Sequence, residues 1–229
     1  RDVERSRGLG DVYKRQGKEG SAMKEPSLKE KVRNAILEGI FSGEYQPGDI
    51  LNEKSLIEKY ECSKSPVREA LMTLCNERVL RNMPRYGYEV TRLTMDDINE
   101  MLEFRLYLEH GIVSRVIKSL TEPQIAALEP LNELCLRDDL PPRKHWECNM
   151  DFHKALLRLG RNAYADEQLS SCMSRMSRAY AQFRWGMDSG VLHVSDDCKH
   201  HKDILKALRA HDADALFEAL DKDLRDFSV

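Results

Sequence analysis

Apolar residues recur along this chain with two different periods. Leu28, Val32, Ile36 and Ile40, with Ala35 and Leu37 beside them, follow helical spacing and predict a first helix running up to Gly43. After a turn at Gln46, Pro47 and Gly48, a short second helix is expected to open at Asn52, whose side chain can accept from the free amides of the first turn. Leu56, Ile57 and Tyr60 form its inner face. Glu61, Cys62 and Ser63 separate it from a third helix, with Ser65 as the expected N-cap and Pro66 at the first helical position, where a missing amide costs nothing. Val67, Ala70, Leu71 and Leu74 point inward from it. The pattern then changes: Val79 to Met83 and Tyr88 to Leu93 read as short strands joined by a tight turn of Pro84, Arg85, Tyr86 and Gly87. Beyond Leu93 only long amphipathic helices are predicted, over 95–119, 122–137, 142–160, 162–186, 196–210 and 212–227. Thr94, Pro141 with Pro142, and Ser195 mark helix starts, and Gly160 marks a stop.

Two helices joined by a three-residue turn, followed by a hairpin, have the spacing of a winged helix-turn-helix. The expected fold class is therefore mainly α: an N-terminal winged helix-turn-helix over 26–93 and a C-terminal all-α antiparallel helical bundle over 94–229. The same small shape also occurs as a packing unit that binds nothing. Residues 1–25 show neither period and are expected to be a disordered or non-native leader, with Met23 as the start of the protein proper.

Charge sharpens this division. The net charge of −3 is spread unevenly: residues 24–92 carry +1 and residues 93–229 carry −6. Within 64–92, Lys64, Arg68, Arg78, Arg81, Arg85 and Arg92 face only Glu69, Glu77 and Glu89. A locally basic segment on an acidic remainder points to a nucleic-acid surface on one part alone. No stretch approaches the ~20 apolar residues of a membrane span, and no secretory signal is visible, so a cytoplasmic protein with no membrane partner is expected. The cysteines at 62, 75, 135, 148, 172 and 198 form no CxxC pair, which speaks against a zinc ribbon or a disulfide scaffold.

The stretch Ser63-Lys64-Ser65-Pro66-Val67-Arg68-Glu69-Ala70-Leu71, with Val79-Leu80 and Pro84-Arg85-Tyr86-Gly87 after it, closely resembles the winged helix-turn-helix of the GntR family of bacterial transcription regulators. Arg105 with Leu108-Glu109, Phe152-His153 with Gly160-Arg161-Asn162, and His201 with Ile204-Leu205 and Asp212-Ala213 resemble the helical, FCD-type ligand-binding domain of the FadR subgroup. The resemblance implies a homodimeric regulator, a repressor by expectation. It would bind a palindromic operator in double-stranded DNA and respond to a small carboxylate effector, an organic or sugar acid.

Carried over residue by residue, the resemblance makes Lys64 and Arg68 base or phosphate contacts, Ser63 and Ser65 phosphate contacts, Lys54 a phosphate-facing residue, and Arg85 with Gly87 the wing tip. Lys54 has an alternative as an i,i+4 partner of Glu58. Lys64 stands where the family more often has Arg, whose planar fork reads guanine bidentately. The resemblance also implies a divalent metal, zinc, nickel or manganese, held by Asn149, His153, His201 and Asp223. Asn149 and His153, at i,i+4, share one helix face as two such ligands must. Asp223 takes the place of the family's usual third His. The alternative is that His153 and His201 line an effector pocket. Arg105 is a candidate effector-binding residue, or else the i,i+4 partner of Glu109. His110, His145, His193 and His211 are read as surface residues. An enzyme is not expected. The alternative reading is a metal-dependent enzyme using the Asn149, His153, His201 and Asp223 cluster, although no motif supplies it with a general base.

Overall fold

The computed structural model describes residues 25–185 and 198–225. Helix α1 (Leu28–Phe41) opens with a capping box in which the Ser27 hydroxyl accepts from the Glu30 amide and the Ser27 amide donates to the Glu30 carboxylate at 2.7 Å. A two-residue strand, β1 (Ile50–Leu51), which the hydrophobic pattern does not reveal, leads into α2 (Glu53–Lys59). Asn52 caps α2 as expected, accepting from the Lys54 amide at 2.9 Å.

Helix α3 (Lys64–Asn76) starts earlier than its sequence suggests: its N-cap is Ser63, and the Ser65 hydroxyl instead donates to Glu69 at 2.9 Å. Pro66 is still within the first turn, where amides lack an intrahelical acceptor, so it does not disturb the helix.

Strands β2 (Leu80–Met83) and β3 (Gly87–Val90) pair antiparallel, with Leu80 opposite Val90 and Met83 opposite Gly87, and are shorter than the alternation implied. β1 takes the other edge of β3, giving the sheet order β1-β3-β2. This third strand depends on Gly87. Its φ is +135°, and a Cβ there would lie 2.5 Å from the Leu51 carbonyl oxygen. Val32, Ile36, Leu56, Val67, Leu71, Leu74 and Tyr88 close the core beneath the sheet.

The bundle comprises α4 (Met95–Ser114), α5 (Glu122–Ala126), α6 (Glu129–Cys135), α7 (Pro142–Arg158), α8 (Ala163–Tyr180), α9 (His201–Ala210) and α10 (Ala213–Arg225). Three expected helices are shorter or divided. The first stops at Ser114 and is followed by a 3₁₀ turn at Ile117–Ser119. The second splits into α5 and α6, because Pro130 near the start of α6 offers no amide to the preceding turn. The fifth is helical from His201. Its expected cap at Ser195 and Asp196 lies outside the described residues, as do residues 1–24 and His193. Thr94 with Asp97, Asn162 and Asp212 cap α4, α8 and α10. α4 packs on α7, α8 and α10, and α9 packs on α10. Leu106, Val113, Phe152, Leu156, Ile204, Leu208 and Leu220 lie in the common core. No helix among the described residues is long and apolar enough to cross a membrane.

Among the described residues, polar contacts from Gln182, Arg143 and Arg178 join the winged part to the bundle. Gln182, in the π turn Ala181–Trp185 that continues α8, takes the Leu93 amide at 3.0 Å and donates to the Leu93 carbonyl at 2.7 Å. Arg143, in the first turn of α7, forks onto both oxygens of Glu38 on α1 at 2.7 Å each. Arg178 on α8 donates to the Arg78 carbonyl at 3.1 Å, and burial pushes its pKa down to about 10.

Gly87→Ala is expected to part β1 from β3 and to lower stability by about 1–3 kcal/mol, the usual cost of a residue forced into a glycine conformation. Urea denaturation followed by circular dichroism measures this, and an unchanged midpoint would show that the wing tolerates a Cβ.

Candidate functional site

Two sets of candidate residues occupy different surroundings. The first is an exposed face on the winged part. Ser63, Lys64, Ser65 and Arg68 are all exposed at the start of α3, and Arg85 is exposed in the turn between β2 and β3 with a left-handed φ of +74°. Ser63 is an N-cap whose hydroxyl makes no capping bond, so it remains available to a phosphate. Arg68 and Arg85 form no ion pair among the described residues, whereas Arg81 is held by Glu89 across the sheet. Lys64 lies 3.5 Å from Glu53, loosely enough for an incoming phosphate to compete. Lys54 is 86% exposed and 4.0 Å from Glu58, so its alternative partner is within reach but both are well solvated. Gly87 also has a structural part beside its place in the wing motif: its missing side chain lets β1 close on β3.

The second set is buried in the bundle. Asn149 and His153 project from one face of α7, His201 is the first residue of α9, and Asp223 is in the last turns of α10. All four are at most 5% exposed. His153 Nε2 lies 3.0 Å from Asp223 Oδ2, and His201 Nε2 lies 3.7 Å from Asp223 Oδ1. The first contact is not aligned as a hydrogen bond and the second is too long for one, and His153 Nε2, both nitrogens of His201 and Asp223 Oδ1 are buried without a hydrogen-bond partner. Two donors bound about 2.0–2.2 Å from one ion stand about 3–3.5 Å apart, so these spacings and unspent lone pairs fit a metal. Leaving so many buried polar atoms unsatisfied would otherwise be costly.

His153 is oriented from behind. Its Nδ1 donates to Glu109 Oε2 at 2.6 Å, and Glu109 Oε1 accepts from Arg105 Nε at 3.0 Å. Burial would raise the Glu109 pKa, but the charges of His153 and Arg105 outweigh it and hold the carboxyl below its ordinary value. An ionised carboxylate can only accept, which places the proton on Nδ1 and aims Nε2 at Asp223. For His153 itself, burial works against the charged form, yet Glu109 prevails and pushes the pKa up to about 9. The site thus calls for positive charge beside Asp223, supplied by a proton or a metal ion. His201 is the opposite case: burial pushes it down to about 3, leaving a neutral imidazole stacked on Phe152 with ring centroids 3.8 Å apart. Leu102, Arg105, Trp146, Asn149, Tyr180 and Asp223 line a small cavity beside these groups, and Arg105 Nη2 is buried without a hydrogen-bond partner.

Residues 28–90 match the bacterial regulatory proteins of the gntR family, and residues 100–226 match the FCD domain. This chain belongs to the GntR family. The chain is 24% identical over 202 residues to the gluconate operon transcriptional repressor of Bacillus licheniformis, covering 82% of this chain and 78% of that protein. It is 26% identical over 190 residues to the HTH-type transcriptional repressor RspR of Escherichia coli strain K12, covering 80% and 79%. Its match to the uncharacterized HTH-type transcriptional regulator YdhC of Bacillus subtilis, at 29% identity, spans 57% of this chain and 60% of that protein. Among solved structures, a GntR regulator from Rhodococcus sp. RHA1 superposes with a TM-score of 0.65 at 22% identity, covering 88% of this chain and 95% of that one. This last likeness supports the winged helix-turn-helix and helical bundle as a fold.

Some placements in the regulator depart from expectation. His145, read from sequence as a surface residue, is 1% exposed, on the same face of α7 as Asn149 and His153. Arg105 is buried and paired with Glu109, so its candidate role in effector binding rests on Nη2 alone. The i,i+4 spacing pairs Glu109 with Arg105, and the packing of α4 on α7 gives it His153 as a second partner that no spacing in the sequence shows. Phe152 stacks on the His201 ring, a contact across two helices that the sequence does not show. His200 faces Asp203, with Nδ1 3.2 Å from the carboxylate, and leaves the buried position to His201.

Glu109→Gln removes a charge from beneath a buried guanidinium. Breaking a buried ion pair from one side costs about 3–5 kcal/mol, and a loss of that order is expected in chemical denaturation. A change below about 1 kcal/mol would mean that Arg105 does not depend on Glu109.

Proposed function

We propose that this chain is a homodimeric, effector-responsive repressor with a division of labour at Leu93: residues 26–93 read operator DNA, and residues 94–229 dimerise and sense a small carboxylate. The observation that carries the reading is the exposed start of α3, where Ser63, Lys64, Ser65 and Arg68 stand together with an unspent cap hydroxyl. A helix presented in this way enters the major groove, where Arg68 and Lys64 meet bases or phosphates and Ser63 and Ser65 meet phosphates. Lys54 and the wing residue Arg85 add backbone contacts on either side. A symmetric pair of such units requires a palindromic operator with half-sites about 34 Å apart. The sign of regulation is supported by relatives named as repressors.

The sensor half is proposed to hold a divalent metal, zinc, nickel or manganese, between Asn149, His153, His201 and Asp223. The unspent atoms of His153, His201 and Asp223 support it. A bound ion supplies a Lewis-acidic anchor for an effector carboxylate. Arg105 offers Nη2 to the same carboxylate from the cavity wall, and Glu109 keeps both Arg105 and His153 in place. An organic or sugar acid agrees with a relative whose name ties it to a gluconate operon. The route to the DNA-reading half is α7 and α8: α7 carries Asn149 and His153 as well as Arg143, which holds Glu38 on α1, and α8 leads into Gln182, which holds Leu93. An effector that favours one setting of these helices shifts the dimer between operator-competent and incompetent arrangements. A hydrolytic role is disfavoured, since Glu109, the carboxylate closest to serving as a base, spends one oxygen on Arg105 and the other on His153.

Arg68→Ala is expected to abolish retardation of the native promoter fragment while the protein keeps its oligomeric state and helix content. Wild-type retardation by that variant would remove α3 as the reader. Elemental analysis of the purified protein is expected to find close to one divalent metal per chain, and His201→Ala is expected to lose it. A metal-free wild type that also takes up none on dialysis would rule the centre out.

A further inference from the structure

A second group of metal-binding side chains lies beside the first and is assigned no role by it. Cys135, the last residue of α6, Cys198, three residues before α9, and His201 each place one ligand atom within 4.8 Å of the others. All three are fully buried. His145 Nε2 lies 3.8 Å from Cys198 Sγ. We propose that these residues form a second cation site, with Cys135, Cys198 and His201 as ligands and His145 as the fourth donor, selective for a thiophilic ion of the zinc or cadmium class.

Donor chemistry argues for the class. Two thiols that lose their protons on binding and two imidazoles make a Cys₂His₂ set, which suits a tetrahedral zinc-class ion and not a hard cation. At bond lengths of about 2.3 Å to sulfur and 2.0–2.1 Å to nitrogen, a tetrahedral S···N pair is about 3.5 Å apart, close to the observed Cys198–His145 separation. The ring of His201 is the second observation: it belongs to both donor groups, and neither of its nitrogens has a hydrogen-bond partner. With Nε2 toward Asp223, Nδ1 is left for the sulfur set. A neutral imidazole carries one N–H, so His201 serves one ion at a time and the two sites compete for it. The helix α7 orders both: His145, Asn149 and His153 succeed one another at four-residue intervals, about 6 Å apart along its axis. The sulfur-poor donors lie at one end of this stripe and the thiols at the other.

Cobalt(II) added to the reduced, metal-free full chain tests the site, because thiolate ligation produces a near-ultraviolet charge-transfer band that oxygen and nitrogen ligands do not. The band is expected in wild type and in His153→Ala, retained in Cys148→Ser, and lost in Cys135→Ser and in Cys198→Ser. A wild type showing only ligand-field bands overturns the proposal, as does a band that survives in both serine variants. Should the serine variants not fold, zinc X-ray absorption on wild type decides: a sulfur shell at about 2.3 Å is expected, and a purely oxygen and nitrogen shell overturns the site. The first centre fails by a different readout, the metal content of Cys135→Ser, in which the sulfur set is broken and the Asn149, His153, His201 and Asp223 donors are intact, so the two failures are distinguishable.

Discussion

The carboxylate of Glu109 stands at full burial between a guanidinium and an imidazole, and the interior of the bundle is arranged around it. Burying three ionisable groups is expensive unless each is paired with good geometry. Here Arg105 and Glu109 come from successive turns of α4, and His153 reaches them from α7. The contact pins α4 to α7 at one register. It also determines which nitrogen of His153 carries the proton, and therefore that Nε2 faces Asp223 on α10. A helix packed with hydrophobic side chains alone tolerates small slips; a buried charge chain does not, since a slip would strand an ion in a low-dielectric interior.

From that pinned register the bundle reaches outward. α7 ties the buried donors to Glu38 on α1 through Arg143, and α8 ends in the π turn that holds both backbone groups of Leu93. These contacts lie at the surface or only partly buried, and such pairs contribute little to stability. Their value is in geometry: they connect a rigid interior to the strand that leaves the wing, so that a rearrangement of the buried donors is felt at α1 and at β3. The charge division along the chain follows the same boundary, with a locally basic winged part and an acidic bundle.

The departures from expectation have local causes. Ser63, not Ser65, caps α3, because Pro66 is accommodated equally well anywhere in the first turn and so does not mark the first residue. Strand β1 was invisible because two residues cannot show a period, and it exists only through pairing with β3 at a glycine. The long second helix of the bundle breaks where Pro130 removes an amide, a signal present in the chain but outweighed by continuous apolar spacing.

The winged helix-turn-helix, the bundle, the exposed polar start of α3 and the shared face of Asn149 and His153 were all legible in the sequence, because each rests on residues close together in the chain with a period or a motif. Which partners meet across the bundle was not. Glu109 and His153 are separated by 44 residues, and Cys135 and Cys198 lie far apart with no motif linking them. His145 could be read as exposed until the packing of α7 turned its face inward. Helical spacing states which side chains share a face of one helix. Only the register and crossing of several helices decide what that face meets, and here those were settled by the buried pairing of Arg105, Glu109 and His153.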